Sequence, residues 1–211
     1  GGTDFPEFYK EHGGAVISTT FDKYCYVNVR HLPRFFDYST ELSYSRIERV
    51  TDIDAIEHPA IRNAMKMLDM REIRLTSEAD LPARSGLGTS SSFAVGMLNA
   101  FYALKGKYAD KKRLSDEAIY LERVLCNEAG GWQDQVGGLT PGVKLVHTIP
   151  GIKQNIQVDH IVVPEAAMEE LKERFALIYT GQRRLARNLL REIVGNYIGS
   201  KKNSLDVLYE I

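Results

Sequence analysis

The segment Pro82-Ala83-Arg84-Ser85-Gly86-Leu87-Gly88-Thr89-Ser90-Ser91-Ser92 joins two glycines to a run of hydroxyls, a combination suited to gripping an anion. Glycines reach left-handed backbone conformations that turn several N–H groups toward one point. A helix opening behind them adds its unpaired N-terminal N–H groups and its dipole. A triphosphate fits such a cradle, and the hydroxyls of Thr89, Ser90 and Ser91 can donate hydrogen bonds or give one oxygen to Mg²⁺. Two known alternatives are absent: a Walker loop needs a lysine after its last glycine, and a dinucleotide fingerprint needs a third glycine. Two carboxylates follow. Glu122 lies in a helical run, where alone it reads as a solvated carboxylate. Asp134 follows a Gly-Gly turn in Gly130-Gly131-Trp132-Gln133-Asp134-Gln135, where by itself it can serve as a helix cap.

These groups need elements to hold them. β-branched and aromatic residues predict strands over 15–20 and 24–30, with Phe21-Asp22-Lys23 as a hairpin connection. Pro59 opens a helix carrying Ile61, Ala64, Met65 and Leu68. The alternation over 71–79 predicts a third strand that runs into the glycine segment. Beyond it, Thr89 or Ser90 is the expected cap of a helix bearing Phe93, Met97, Leu98 and Phe101 at 3–4 spacing, stopped by Gly106. A second helix is expected from Ser115 through Leu125, with Lys111-Lys112-Arg113 as a surface turn before it. Two strands are expected around Pro150-Gly151, then a helix near 164–173, a strand Phe175–Tyr179, a turn at Thr180-Gly181 and a basic helix from Arg184 to Tyr197.

The bulk composition narrows the classes of function. In 211 residues, 44% hydrophobic and 26% charged, there is enough apolar material for a packed core. A net charge of −1 and pI near 6.6 supply no field for a nucleic-acid backbone or an anionic membrane, so neither is expected as a partner. No apolar run reaches the ~18–20 residues of a membrane helix. Cys25 and Cys126 have no metal or redox spacing and read as reduced thiols of a cytoplasmic protein. The opening Gly1-Gly2-Thr3-Asp4 reads as the middle of a loop, with a segment expected upstream.

The segment Pro82 to Ser92 resembles the second motif of the galactokinase, homoserine kinase, mevalonate kinase and phosphomevalonate kinase (GHMP) superfamily. Gly1-Gly2-Thr3-Asp4 is similar to the end of that superfamily's first motif, Gly130 to Gln135 to its catalytic aspartate segment, and Tyr179-Thr180-Gly181 with Arg184 to a sugar-kinase signature. The resemblance implies an α+β, two-domain fold: an N-terminal β-rich nucleotide-binding domain over 1–157 and, over 158–211, the beginning of a ferredoxin-like domain. It also implies an ATP- and Mg²⁺-dependent sugar kinase. ATP would be held by Pro82, Arg84, Ser85, Gly86, Leu87, Gly88, Thr89, Ser90 and Ser91. Ser90 and Glu122 would ligate Mg²⁺, and Asp134 would take the acceptor hydroxyl's proton. Asp4, Gly131, Thr180, Gly181 and Arg184 would bind the sugar. Bacterial D-glycero-D-manno-heptose 7-phosphate kinases are the most similar group in these segments, and L-fucose kinase domains are similar in the same places. A non-catalytic binding homologue is the alternative of another class.

Overall fold

The computed structural model describes residues 3–83, 85–151 and 155–178, together with 192, 194–196 and 199. In chain order these residues form α1 (Pro6–His12), β1 (Gly14–Ser18), β2 (Cys25–His31), β3 (Thr40–Ser43), β4 (Ile47–Val50), α2 (Pro59–Met67), β5 (Ile73–Ala79), α3 (Thr89–Leu104), α4 (Lys111–Tyr120), α5 (Gln133–Leu139), β6 (Lys144–Thr148), β7 (Ile156–His160) and α6 (Glu165–Arg174). A 3₁₀ turn spans Ile53–Ala55, and a π-helical turn, Leu121–Leu125, continues α4. The mixture of helices with two separate sheets, mostly antiparallel in pairing, is the expected α+β class. Among the described residues no helix is long and apolar enough to cross a membrane.

By contacts the chain forms two units: Gly1–Phe21, Arg84–Gly86 and Ala129–Ile211 make the first, and Asp22–Ala83 with Leu87–Glu128 make the second. In the first, β1 pairs antiparallel with β6, and β6 with β7. Val16 and Val146 are directly opposed in that register and buried. Trp132, which is 0% exposed, and Val136 add to the buried apolar residues of this unit.

In the second unit the sheet order is β2-β5-β3-β4, with β3 and β5 parallel and the other pairs antiparallel. α3 packs on β2, and the contact is close. A Cβ on Gly96 would sit 3.3 Å from Val27 Cγ2. Leu42, Ile73, Leu75, Ile61, Met65, Met97, Leu98 and Phe101 are fully buried here, as the period-2 and 3–4 spacings require.

Three expectations are corrected. β1 and β2 are not a hairpin, because each hydrogen-bonds to a distant strand in a different sheet. Lys111-Lys112-Arg113 is the first turn of α4 rather than a surface turn, because Asp110 caps it by accepting the Arg113 N–H at 2.7 Å. Residues 175–178 carry no regular strand. The hairpin of β3 and β4 had no sequence prediction. Thr180, Gly181 and the basic helix after Arg184 lie outside the described residues, apart from 192 and 194–196, which are helical.

A buried polar knot fixes the start of α2. Glu48 accepts from the Tyr44 hydroxyl at 2.6 Å, from Glu57 N at 2.6 Å and from His58 N at 3.3 Å. His58 Nδ1 in turn accepts the Ile61 N–H as the N-cap. Burial alone would raise the Glu48 pKa, but the tyrosine hydroxyl and the two backbone N–H groups outweigh it and hold it below the ordinary 4.5. Burial and the neighbouring carboxylate push Tyr44 up to about 12. Because the unfolded chain protonates Glu48 first, its contribution to stability is present above 4.5 and is lost as pH falls through the lower folded value. Glu48→Gln is therefore expected to flatten the acid limb of a urea-midpoint against pH curve. An unchanged limb would show that the knot does not govern acid unfolding.

Candidate active site

β5 delivers the chain into the glycine segment, and α3 leaves it. Gly86 and Gly88 adopt φ of 79° and 70°, left-handed values that explain why glycine stands at both. Gly88 itself is the N-cap of α3, and no side chain caps this helix. The expected cap by Thr89 or Ser90 is thus corrected. The first N–H groups of a 16-residue helix keep no side-chain cap, which is the donor arrangement an anion exploits.

The serine hydroxyls go elsewhere. Ser90 Oγ donates to Glu122 Oε1 at 3.2 Å, and Ser91 Oγ to Glu122 Oε2 at 2.9 Å. Ser91 is 3% exposed and Glu122 5%, whereas Ser90 is exposed. Ser91 therefore orients the carboxylate from inside. Ser90 and Glu122 Oε1 form an oxygen pair at the outer edge, and a hydroxyl plus a carboxylate is a hard donor set that fits one Mg²⁺ keeping most of its waters. Glu122 sits in the π-helical turn, where Cys126 N reaches Leu121 O at 2.9 Å and Glu128 N reaches Glu122 O at 2.9 Å. Such turns are uncommon and tend to occur at functional positions. Sequence periodicity did not reveal this one, because a single inserted residue leaves the apolar spacing almost unchanged.

The second cluster lies in the first unit. Asp4 is 6% exposed, and its Oδ2 accepts the Gln133 N–H at 3.2 Å. Any Cβ at Gly131 would overlap the Asp4 carboxylate and carbonyl. Asp4 and Gly131, expected as sugar contacts, are thus brought together, with Asp4 holding the first turn of α5. Trp132 is the N-cap residue of α5, and Asp134 lies in that first turn with an exposed side chain. Asp134 is within α5 and is not its cap. The negative charge at the start of the helix is favourable.

Pro82, Ser85, Leu87 and Thr89 lie within or beside the glycine segment; Arg84, Thr180, Gly181 and Arg184 lie outside the described residues. Among the described residues no group of three or more His, Cys, Asp or Glu side chains forms a metal cage. A magnesium ion bound here would have Ser90 and Glu122 as its protein oxygens.

Residues 54–141 match the family model of the GHMP kinases N terminal domain. The segment includes the glycine loop, Glu122 and Asp134. The bifunctional fucokinase/GDP-fucose pyrophosphorylase of Arabidopsis thaliana is 32% identical over 131 residues, 62% of this chain and 12% of that protein. The L-fucokinase/L-fucose-1-P guanylyltransferase of Bacteroides fragilis is 37% identical over 139 residues, 66% of this chain and 14% of that protein. This chain therefore spans about an eighth of those two relatives. A solved D-glycero-D-manno-heptose 1-phosphate kinase from Bacteroides thetaiotaomicron superposes with a TM-score of 0.71 over 81% of this chain and 58% of that one, at 21% identity. That match shows a shared fold.

Proposed function

We propose, from the GHMP kinase N-terminal domain matched over residues 54–141, that this chain is part of an ATP- and Mg²⁺-dependent kinase that phosphorylates the anomeric hydroxyl of a sugar. The observation that carries the reading is the convergence of Ser90, Ser91 and Glu122 at the N-terminus of α3, which has no side-chain cap. In this reading the backbone N–H groups around Gly86 to Thr89 hold the nucleotide phosphates, helped by Pro82, Arg84, Ser85 and Leu87. Ser90 and Glu122 take the metal ion, which when bound supplies charge neutralisation to the transferring phosphoryl group. Asp134 accepts the proton of the attacking hydroxyl. Asp4, Gly131, Thr180, Gly181 and Arg184 shape the acceptor side. Residues 1–157 form the nucleotide-binding domain, and 158–211 begin a second domain. The reaction belongs to the cytoplasm, where ATP is available.

Two acceptors compete. The relatives at 32% and 37% identity favour L-fucose, whereas heptose 7-phosphate is suggested by the motifs alone, the solved neighbour at 21% identity sharing the fold. L-fucose therefore takes first place. A coupled ADP-release assay on the full-length protein, with L-fucose, heptose 7-phosphate, galactose and mevalonate side by side, tests the reading. Release with L-fucose or heptose 7-phosphate supports it. No release with any acceptor sinks it in favour of a binding homologue.

Glu122→Gln keeps the side chain's shape but removes the one negative charge that Ser90 and Glu122 together offer the metal. It is expected to raise the Mg²⁺ concentration needed for half-maximal rate by at least about tenfold, the scale of losing one charged ligand interaction. An unaltered Mg²⁺ titration would remove Glu122 from the metal site.

A further inference from the structure

Lys144 is 0% exposed, and among the described residues its side chain makes one hydrogen bond, from Nζ to the carbonyl of Gly142 at 3.2 Å. Among the described residues no carboxylate is within ion-pair distance of it. Burial pushes its pKa below the ordinary 10.5, as desolvation of an ammonium must. An ammonium has three donors to satisfy. A lysine placed so is a poor way to stabilise a strand, and a methionine of similar length would fill the space without the desolvation penalty.

Its surroundings give it a purpose. In the register of the sheet, Lys144, Val146 and Thr148 stand opposite Ser18, Val16 and Gly14, so all six share one face. A Cβ on Gly14 would meet Thr3 O and Tyr9 Cβ, so α1 and the segment leading to Asp4 lie over that face. Lys144 also acts on the turn that ends α5. Thr140 closes the helix with its N–H on Val136 O at 3.2 Å. Gly142 follows at φ 82°, its N–H donating to Thr20 Oγ1 at 2.9 Å and its carbonyl accepting from Lys144. Both backbone polar groups of Gly142 are therefore bonded to side chains, the N–H to Thr20 and the carbonyl to Lys144. Asp4 holds the first turn of α5 and Lys144 the exit, and the helix between them, only seven residues long, cannot keep its place by its own cooperativity.

We propose that Lys144 is a positioning residue of the acceptor side, which holds the Thr140–Gly142 turn and thereby fixes the helix that presents Asp134. The catalytic half of this inference rests on the kinase reading above; the structural half stands independently of it. Lys144→Met in the full-length protein is followed by three measurements: melting temperature, ADP release with L-fucose, and amide hydrogen exchange over 133–142. The melting temperature is expected to hold or rise, because a buried charge has been removed. Exchange over 133–142 is expected to quicken while α3 is unchanged. The turnover number is expected to fall about 10²-fold, the scale of a misplaced catalytic group, with KM for ATP within about twofold of its original value.

Loss of melting temperature with turnover falling only as the folded fraction falls would make Lys144 a structural residue and overturn the proposal. Unchanged exchange, or quickened exchange with unchanged turnover, would overturn it as well. Should the methionine variant fail to fold, Thr20→Val loosens the same turn from an exposed position, and it is expected to quicken exchange over 133–142 and lower turnover to a smaller degree. No change in either would overturn the proposal. A starting protein that releases no ADP with any acceptor defeats the kinase reading, and exchange then decides the link between Lys144 and α5 by itself.

Discussion

Asp134→Asn is expected to lower turnover by about 10³-fold, within the usual range for removing a general base, while Mg·ATP binding measured by calorimetry stays within about twofold. The substitution is nearly isosteric, so it changes proton affinity and charge and leaves shape alone. Asp134 is exposed in the first turn of α5, and that turn is set by other residues: the buried Asp4 carboxylate on Gln133 N and the fully buried Trp132 at the N-cap. The stability change should therefore be small, limited to the ~0.3–1 kcal/mol of a carboxylate near a helix N-terminus. That separation makes the measurement discriminating. A variant with normal turnover would strip Asp134 of its role as base, and one that loses nucleotide binding along with turnover would show that the residue holds the site together.

The glycine segment was legible in the sequence because its backbone demands leave a residue signature: only glycine is at ease at φ of 79° and 70°. The core of α3 was legible for a similar reason, since burial of Met97, Leu98 and Phe101 repeats with the helical period. The destinations of side chains were not. Ser90 and Ser91 have the chemistry of helix caps, yet their hydroxyls go to Glu122, 32 and 31 residues away. No local rule could choose between the two uses, because a capped helix and a bound carboxylate are both good partners for a hydroxyl. Strand pairing failed in the same manner. β1 and β2 each have strand propensity, but their partners, β6 and β5, lie far along the chain, and pairing across such separations is decided by burial of whole faces. The buried state of Lys144 was equally hidden, since lysine in an amphipathic strand is ordinarily read as the solvated side.

Gly131→Ala carries the largest expected effect on stability. Its conformation is not the cause. A single methyl would overlap the carbonyl oxygen, the Oδ2 and the Cγ of Asp4, and neither the backbone nor a 6%-exposed carboxylate can step aside without disturbing the start of α5. Overpacking of this kind costs roughly 1–3 kcal/mol, and displacing the carboxylate from Gln133 N leaves a buried acceptor without its donor for roughly 1–3 kcal/mol more. At about 2–4 °C per kcal/mol for a chain of this size, thermal unfolding should move down by at least about 5 °C. Asp4→Ala separates the two contributions. Alone it removes the carboxylate that pins the helix; combined with Gly131→Ala it leaves only the clash with the backbone carbonyl. The double-variant cycle should therefore show the pair costing less than the sum of the single substitutions, by 0.5–3 kcal/mol as expected for groups in contact. Strict additivity would mean that the methyl is accommodated without touching the carboxylate, and with it would go the view that Asp4 and Gly131 form one acceptor-side element.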